Sequence, residues 1–375
     1  MDYLKKPVNF RDKRHILTLV GTLIIFLTIP LTVILVQQTR EPTSRASTTP
    51  NDPKFSSQWA LPKIRAPEAW DITKGSATIK VAVVDGGITS TLADLQGQLG
   101  TGYNAITPGG STEDDVGSYG SGTQAAGIMG ARTNNGVDMA GSSWNITMLP
   151  VRVCDMFGCR TADKTAEGIR WATANGAQII DVSLAWSSST AALDAAVADA
   201  ISRGILVVAT AGDYYPQNAS VGYPAALPGV IAVGATDSTD TVWSSSSRGA
   251  QLDIIAPGVS VLTLVKDGCC LTRSGTRLAA AHVSGALALL LSQGISPTAA
   301  VAALYQGAVD LGPAGRDDTY GWGRLDACGA LNAAGFTCPV TGGGDTLSPT
   351  VNITNPTGVQ TVSGTVNVGV NATDN

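Results

Sequence analysis

From residue 79 to residue 233 the chain repeats one pattern: a short, unbroken apolar run, then a longer stretch with helical spacing. The apolar runs are residues 79–84, 148–153, 179–184, 205–209 and 230–233. Helical spacing marks 122–131, 165–175 and 191–203, with Gly176 and Gly204 following the last two as C-terminal caps. Residues 276–292 form a further long apolar helix. A strand–helix–strand order needs crossover connections, and these imply a parallel sheet. Strands without polar alternation are buried on both faces. The expected fold class is therefore α/β, a three-layer arrangement with a mostly parallel sheet and helices on both faces. In such sheets functional groups collect beyond the carboxyl ends of the strands. Asp85 ends the first run, and Ala211-Gly212-Asp213 follows the fourth.

A second constraint lies ahead of this pattern. Residues 16–36 form an uncharged apolar run of 21 residues. As a helix that run spans roughly 32 Å, enough to cross a bilayer core. A cleaved signal peptide carries a shorter apolar stretch, about 7–15 residues, closed by small residues. Here Gln37-Gln38-Thr39-Arg40-Glu41 follows instead. The expectation is an uncleaved signal anchor, making a single-pass protein of the cell membrane. Five Lys and Arg against two Asp in residues 1–15 place that tail in the cytoplasm and the main domain outside.

The expected layout is then a cytoplasmic tail (1–15), a transmembrane anchor (16–36), a Ser/Thr/Pro-rich linker (37–50) and an α/β domain (51–336). A second linker (337–348) and two alternating strands of a β-sandwich (349–375) complete it. Two strands cannot bury a core, so the natural chain is expected to continue past Asn375. All six cysteines follow the apolar run, and an even number in an exported region points to disulfides. Cys154 with Cys159 and Cys328 with Cys338 are the near pairs. Cys269 and Cys270 are adjacent and hard to join to each other without strain. Spacing leaves the connectivity open. No histidine lies near any of these pairs, which argues against a metal site. A net charge of −5 argues against nucleic acid as a partner.

Seven stretches then carry a recognisable order: VAVVDGGI (81–88), SGTQAAGIMGARTNNG (121–136), VSLA (182–185), VVATAGD (207–213), APGVSV (256–261), SGTRLAAAHVSGALALLL (274–291) and YGWGRLDA (320–327). Together with 51–75 they resemble the subtilisin-like serine proteases, the subtilases, across residues 51–336. The resemblance implies the subtilisin-like fold. It also implies that Asp85 stands at the catalytic aspartate, Ser121 at the histidine of HGTHVAG, and Gln124 at that motif's second histidine. Arg277 stands at the nucleophilic serine and Asp213 at the oxyanion-hole asparagine. Ser183, Leu184, Ala185 and Gly212 match the substrate-binding segments, with residues 155–158 on the opposite side. Residues 133–138 resemble a loop that binds calcium in some relatives; no other cofactor is implied. The tail from Pro349 resembles the start of a bacterial immunoglobulin-like repeat.

These residue types cannot run the family's reaction. A serine attacks once a histidine accepts its proton. The Ser121 hydroxyl has no useful affinity for a proton at pH 7, and the Arg277 guanidinium stays protonated and is no nucleophile. An ionised Asp213 puts negative charge where an oxyanion develops, at a position whose donor is normally worth about 3–4 kcal/mol. The chain has two histidines, His15 and His282. His15 precedes the apolar run. His282 follows position 277 by about 1.4 helical turns, on another face, where the family has a non-catalytic histidine. The expectation is an extracellular subtilase-fold protein without catalytic machinery that binds extended peptides or proteins in the former substrate cleft. An active serine endopeptidase and a folded spacer in a longer surface protein are the alternatives. Arg277 is expected either to pair with Asp85 or Asp213 or to point to solvent.

Overall fold

The computed structural model describes residues 47–114, 120–216, 220–339, 350–355 and 369–373. Two compact units are distinguished, one spanning Ser47–Pro339 and the other containing Val340–Asn375. The tail 1–15, the apolar run 16–36 and most of both linkers lie outside the described residues. Among those described, no helix is long and apolar enough to cross a membrane.

The first unit is built on seven parallel strands in the order β2-β3-β1-β6-β7-β8-β9. They are β1 (Gly75–Asp85), β2 (Tyr103–Asn104), β3 (Asn145–Arg152), β6 (Ile179–Val182), β7 (Leu206–Thr210), β8 (Ile231–Thr236) and β9 (Ile254–Pro257). Two short antiparallel hairpins accompany the sheet, β4–β5 (Cys154–Asp155 and Gly158–Cys159) and β10–β11 (Val261–Val265 and Gly268–Arg273). The helices are α1 (Ala60–Lys63), α2 (Ala66–Trp70), α3 (Ser121–Gly130), α4 (Ala162–Ala174), α5 (Ala191–Ser202), α6 (Thr276–Ser292), α7 (Pro297–Gln306) and α8 (Ala327–Ala333).

The period-two geometry of a strand divides this core in two. Val81 and Val83 of β1 pack with α3 and α6 on one face of the sheet. Ala82 and Val84 pack with α4 and α5 on the other. Both faces are covered, which is why these strands read as unbroken apolar runs. Helix α6 is buried at every position except Arg277 and Ser292. A helix apolar all round belongs inside a core, and this one lies under the sheet with its first turn at the carboxyl edge. Local signals set the helix starts. Thr161, Thr190, Ser296 and Asp326 each accept a hydrogen bond from a first-turn N–H of α4, α5, α7 and α8. Helix α6 starts at Gly275, which has no side chain to do this.

Several boundaries differ from the sequence reading. The third apolar run leaves the ladder after Val182, so Ser183 and Leu184 belong to the loop beyond the strand. Strand β9, the β10–β11 hairpin and helices α7 and α8 are additional. Disulfides join Cys154 to Cys159 and Cys328 to Cys338, the near pairs. Cys269 and Cys270 are also joined to each other, contrary to the expectation from adjacency. In the second unit Thr350–Asn355 and Gly369–Thr373 form an antiparallel pair; residues 364–368, read as part of the second strand, lie outside the described residues.

Candidate active site

The chain runs from β1 to β3 on one side and then crosses to β6 on the other. The carboxyl end of β1 therefore lies at a switch point in strand order, where crevices form in open parallel sheets. A cavity of about 960 Å³ opens at this edge, lined by Cys159, Ser183, Leu184, Ala185, Trp186, Ser187, Thr210, Gly212, Asp213, Tyr214 and Arg277. All four residues matched to substrate binding, Ser183, Leu184, Ala185 and Gly212, line it. Asp85 and Ser121 do not.

One wall is held mainly by backbone. Trp186 and Tyr223 exchange N–H···O bonds of 2.7 and 2.8 Å. The Tyr214 hydroxyl donates to the Ala185 carbonyl at 2.9 Å. Gly212 has φ +107°, and a Cβ there would meet the Tyr214 ring at 3.0 Å, so glycine is required both for the turn and for the ring's approach. Behind this wall Asp181 accepts from Ser183 Oγ (3.0 Å) and from Ser284 Oγ of α6 (2.7 Å). Burial pushes the Asp181 carboxyl up to about 6.

The opposite corner holds charge. Asp85 is buried, accepts from the Gly86 N–H at 2.6 Å and is hydrogen-bonded by the Ser121 hydroxyl. Its Oδ2 has no partner. Burial, reinforced by the neighbouring Asp114 charge, pushes its carboxyl up to about 7 against the opposing pull of Ser121, Arg277 and Gly86. The close fit of α3 against β1 fixes this corner: a Cβ on Gly122 would lie 2.1 Å from the Gly87 carbonyl oxygen.

Asp213 has a role no local pattern announces. Its Oδ1 accepts from the Thr276 N–H at 2.9 Å and from Thr276 Oγ1 at 2.6 Å. It is therefore the N-terminal cap of α6, supplied from 63 residues upstream. An anionic cap suits the positive end of the helix dipole, and the carboxylate acts there as an acceptor, not as a donor toward the cavity.

Arg277 neither points away into solvent nor pairs with a carboxylate. It is half-buried and donates from Nη2 to Gln124 Oε1 at 2.9 Å, and its Nε has no partner. The expected ion pair with Asp85 or Asp213 is not formed. Asp85 is held by Ser121 and Gly86, Asp213 by Thr276, and Gln124 on α3 reaches the guanidinium instead.

His282 is the one histidine among the described residues. It is buried, its Nδ1 lies 3.0 Å from the Leu278 carbonyl oxygen, and burial pushes its imidazole down to about 4. Across the cavity mouth the β4–β5 hairpin, closed by Cys154–Cys159, carries Met156 and Phe157 at 66% and 78% exposure. Residues 133–138 wrap around two carboxylates. Asp94 accepts from the Met139 N–H and the Asn135 amide (2.9 and 3.0 Å), and Asp52 from the Asn134 and Asn135 N–H groups (2.7 and 3.3 Å). These oxygens face the loop's own donors, and no group of three or more His, Cys, Asp or Glu among the described residues is placed to hold a metal.

Sheet and cavity together define an α/β protein with a cleft at the carboxyl edge of its strands. Comparison with known proteins is specific about which. Residues 76–323 match the subtilase family, peptidase S8. The chain is 37% identical to thermitase of Thermoactinomyces vulgaris over 286 residues, covering 76% of this chain and 98% of thermitase. It is 37% identical over 250 residues to a thermophilic serine proteinase of Bacillus sp. strain AK1, of which 61% is covered. It is 36% identical over 300 residues to halolysin of Haloferax mediterranei, of which 56% is covered. The chain belongs to the subtilase family.

Proposed function

We propose that this protein keeps the peptide-binding cleft of a subtilase without its hydrolytic chemistry, and so holds an extended peptide without cutting it. The observation that carries this reading is the lack of an imidazole at the cleft among the described residues. Positions 85, 121 and 277 present a carboxyl, a hydroxyl and a guanidinium, and His282 is buried against the Leu278 carbonyl. Acyl transfer needs a hydroxyl nucleophile with a base in reach and donors aimed at the developing oxyanion. Asp213 is spent as a helix cap and Arg277 replaces the nucleophile. The cavity wall at 183–187 and 212 needs none of these groups.

The second reading, an active serine endopeptidase, is favoured by the relatives, two of which are named as a serine proteinase and a halolysin. In this chain it would require Asp85, raised to about 7, to serve as base for Ser121, a hydroxyl outside the cavity lining. A fluorophosphonate probe separates the two. The expected outcome is no covalent labelling together with saturable binding of an extended peptide by titration calorimetry. Labelling that maps to any cleft serine would sink the proposal. Single-pass anchoring by residues 16–36, with the domain outside the cell, is part of the same proposal and rests on the apolar run and its basic flank. Alkaline carbonate extraction of membranes should leave the full chain in the pellet.

A further inference from the structure

Arg277 makes its hydrogen bond to a neutral group, with no carboxylate bonded to it. A guanidinium offers five N–H donors. Arg277 spends one on the neutral amide of Gln124, and its buried Nε has no partner. The Nε is buried away from the cavity; the donors left for a ligand are the terminal N–H groups not spent on Gln124. Arg277 is also the one cationic side chain among the residues lining the cavity. It sits in the first turn of α6, a helix of 17 residues. The first N–H groups of a helix have no intrahelical acceptor, and the dipole there favours negative charge. Asp213 takes the Thr276 N–H and Leu278 bonds to Gly275; Arg277's own N–H lies between them.

We propose that this cleft recognises the free C-terminal carboxylate of a peptide: Arg277 takes the carboxylate, and the adjoining cavity takes the last side chain. The inference rests on the peptide-binding reading above and specifies its ligand. A planar guanidinium matches a carboxylate with two parallel N–H···O bonds. A chain that continued through the cleft would offer the same group only a neutral carbonyl. Leu184, Ala185, Trp186, Gly212 and Tyr214 border the cavity, which suits a bulky apolar last residue. One charge opposes the ligand. Asp213 Oδ2 and Arg277 Nη1 lie 3.2 and 2.9 Å from the point that a Cβ on Gly275 would occupy, so Asp213 stands beside the same guanidinium. Asp85 is the other acid that interacts with it.

The test compares acetyl-Ala-Ala-Ala-Phe bearing a free carboxylate with the same peptide as its C-terminal amide, titrated into the purified full chain. The acid should bind about tenfold or more tighter, the worth of a charge-assisted pair. Arg277→Gln should erase that difference, with its melting temperature checked in parallel, and Asp213→Asn should widen it. If Arg277→Gln does not fold, the acid-to-amide ratio on the unaltered chain still decides. Equal binding of acid and amide overturns the carboxylate assignment and leaves peptide binding standing. Binding of neither form at millimolar concentration overturns the peptide-binding reading and this one with it. Acetate binding as tightly as the peptide acid also overturns it, since the site would then read a carboxylate and no peptide.

Discussion

The two sides of the cleft are built differently. The wall at residues 183–187 and 212 is held by main-chain exchange between Trp186 and Tyr223 and by the Tyr214–Ala185 bond. The corner at 85, 121, 213 and 277 depends on individual charged and polar side chains, each with its own partner. A main-chain wall tolerates sequence change, because every residue supplies the same N–H and C=O. A reaction centre does not, because its chemistry resides in particular functional groups. Recognition can therefore outlast catalysis in one fold, and fold membership alone does not settle activity.

The largest test rebuilds the corner and leaves the wall untouched. Ser121→His combined with Arg277→Ser and Asp213→Asn should create fluorophosphonate labelling and peptide hydrolysis that the proposal does not expect of the unaltered chain. Losing the serine or the histidine costs subtilisin about a millionfold in turnover, so even a small recovery is measurable. A folded triple variant that binds peptide and stays unlabelled would mean that corner and wall are not separable.

Next in size is the pH dependence of the corner. Native Asp85 holds its proton to about pH 7, while an unfolded aspartate releases it near 3.8. The native state carries the extra proton between those values, so stability falls as pH rises across that window. The full shift corresponds to roughly 4 kcal/mol at most. Asp94 and Asp181, each raised to about 6, act in the same direction. His282, lowered to about 4 from 6.5, acts in the opposite direction below pH 6.5. Melting temperature should thus decline as pH rises from about 4 to 7 and level off above 7, and Asp85→Asn should shrink that decline. A decline unchanged in the variant would remove Asp85 as its source.

Backbone fit comes third. Gly122→Ala forces a methyl group to 2.1 Å from the Gly87 oxygen and should destabilise by about 1–3 kcal/mol, as overpacking does, in urea denaturation. Asp213→Ala removes the cap of α6 and should cost about 1 kcal/mol by the same measurement. The smallest effect belongs to the wall. Tyr214→Phe removes one hydroxyl bond from a side chain that is 44% exposed, and its midpoint should move by no more than about 0.5 kcal/mol.

The same contrast explains what the sequence made legible. Strands β1, β6, β7 and β8 and helix α6 were readable because burial on both faces leaves unbroken Val, Ile, Leu and Ala runs. The site positions rest on motif order alone. Their partners were not legible, because they are non-local: Gln124 lies 153 residues from Arg277 and Asp213 lies 63 from Thr276. No periodicity reports such pairs, and an Arg beside two candidate carboxylates reads as an ion pair until each carboxylate is seen to have other donors. Helix α7 is a different case. Its Ser296-Pro297 start is an ordinary local cap signal, legible in the sequence.

The three disulfides span 5, 1 and 10 residues of chain. Cross-links over 5 and 10 residues remove less unfolded-chain freedom than long-range ones, about 2–3 kcal/mol each, and they tie together local segments, not distant strands of the seven-stranded sheet. One of them, Cys154–Cys159, joins the two paired strands of the β4–β5 hairpin and acts as a local rivet. A reducing agent should therefore soften that hairpin, which borders the cleft at Cys159, more than it softens the sheet.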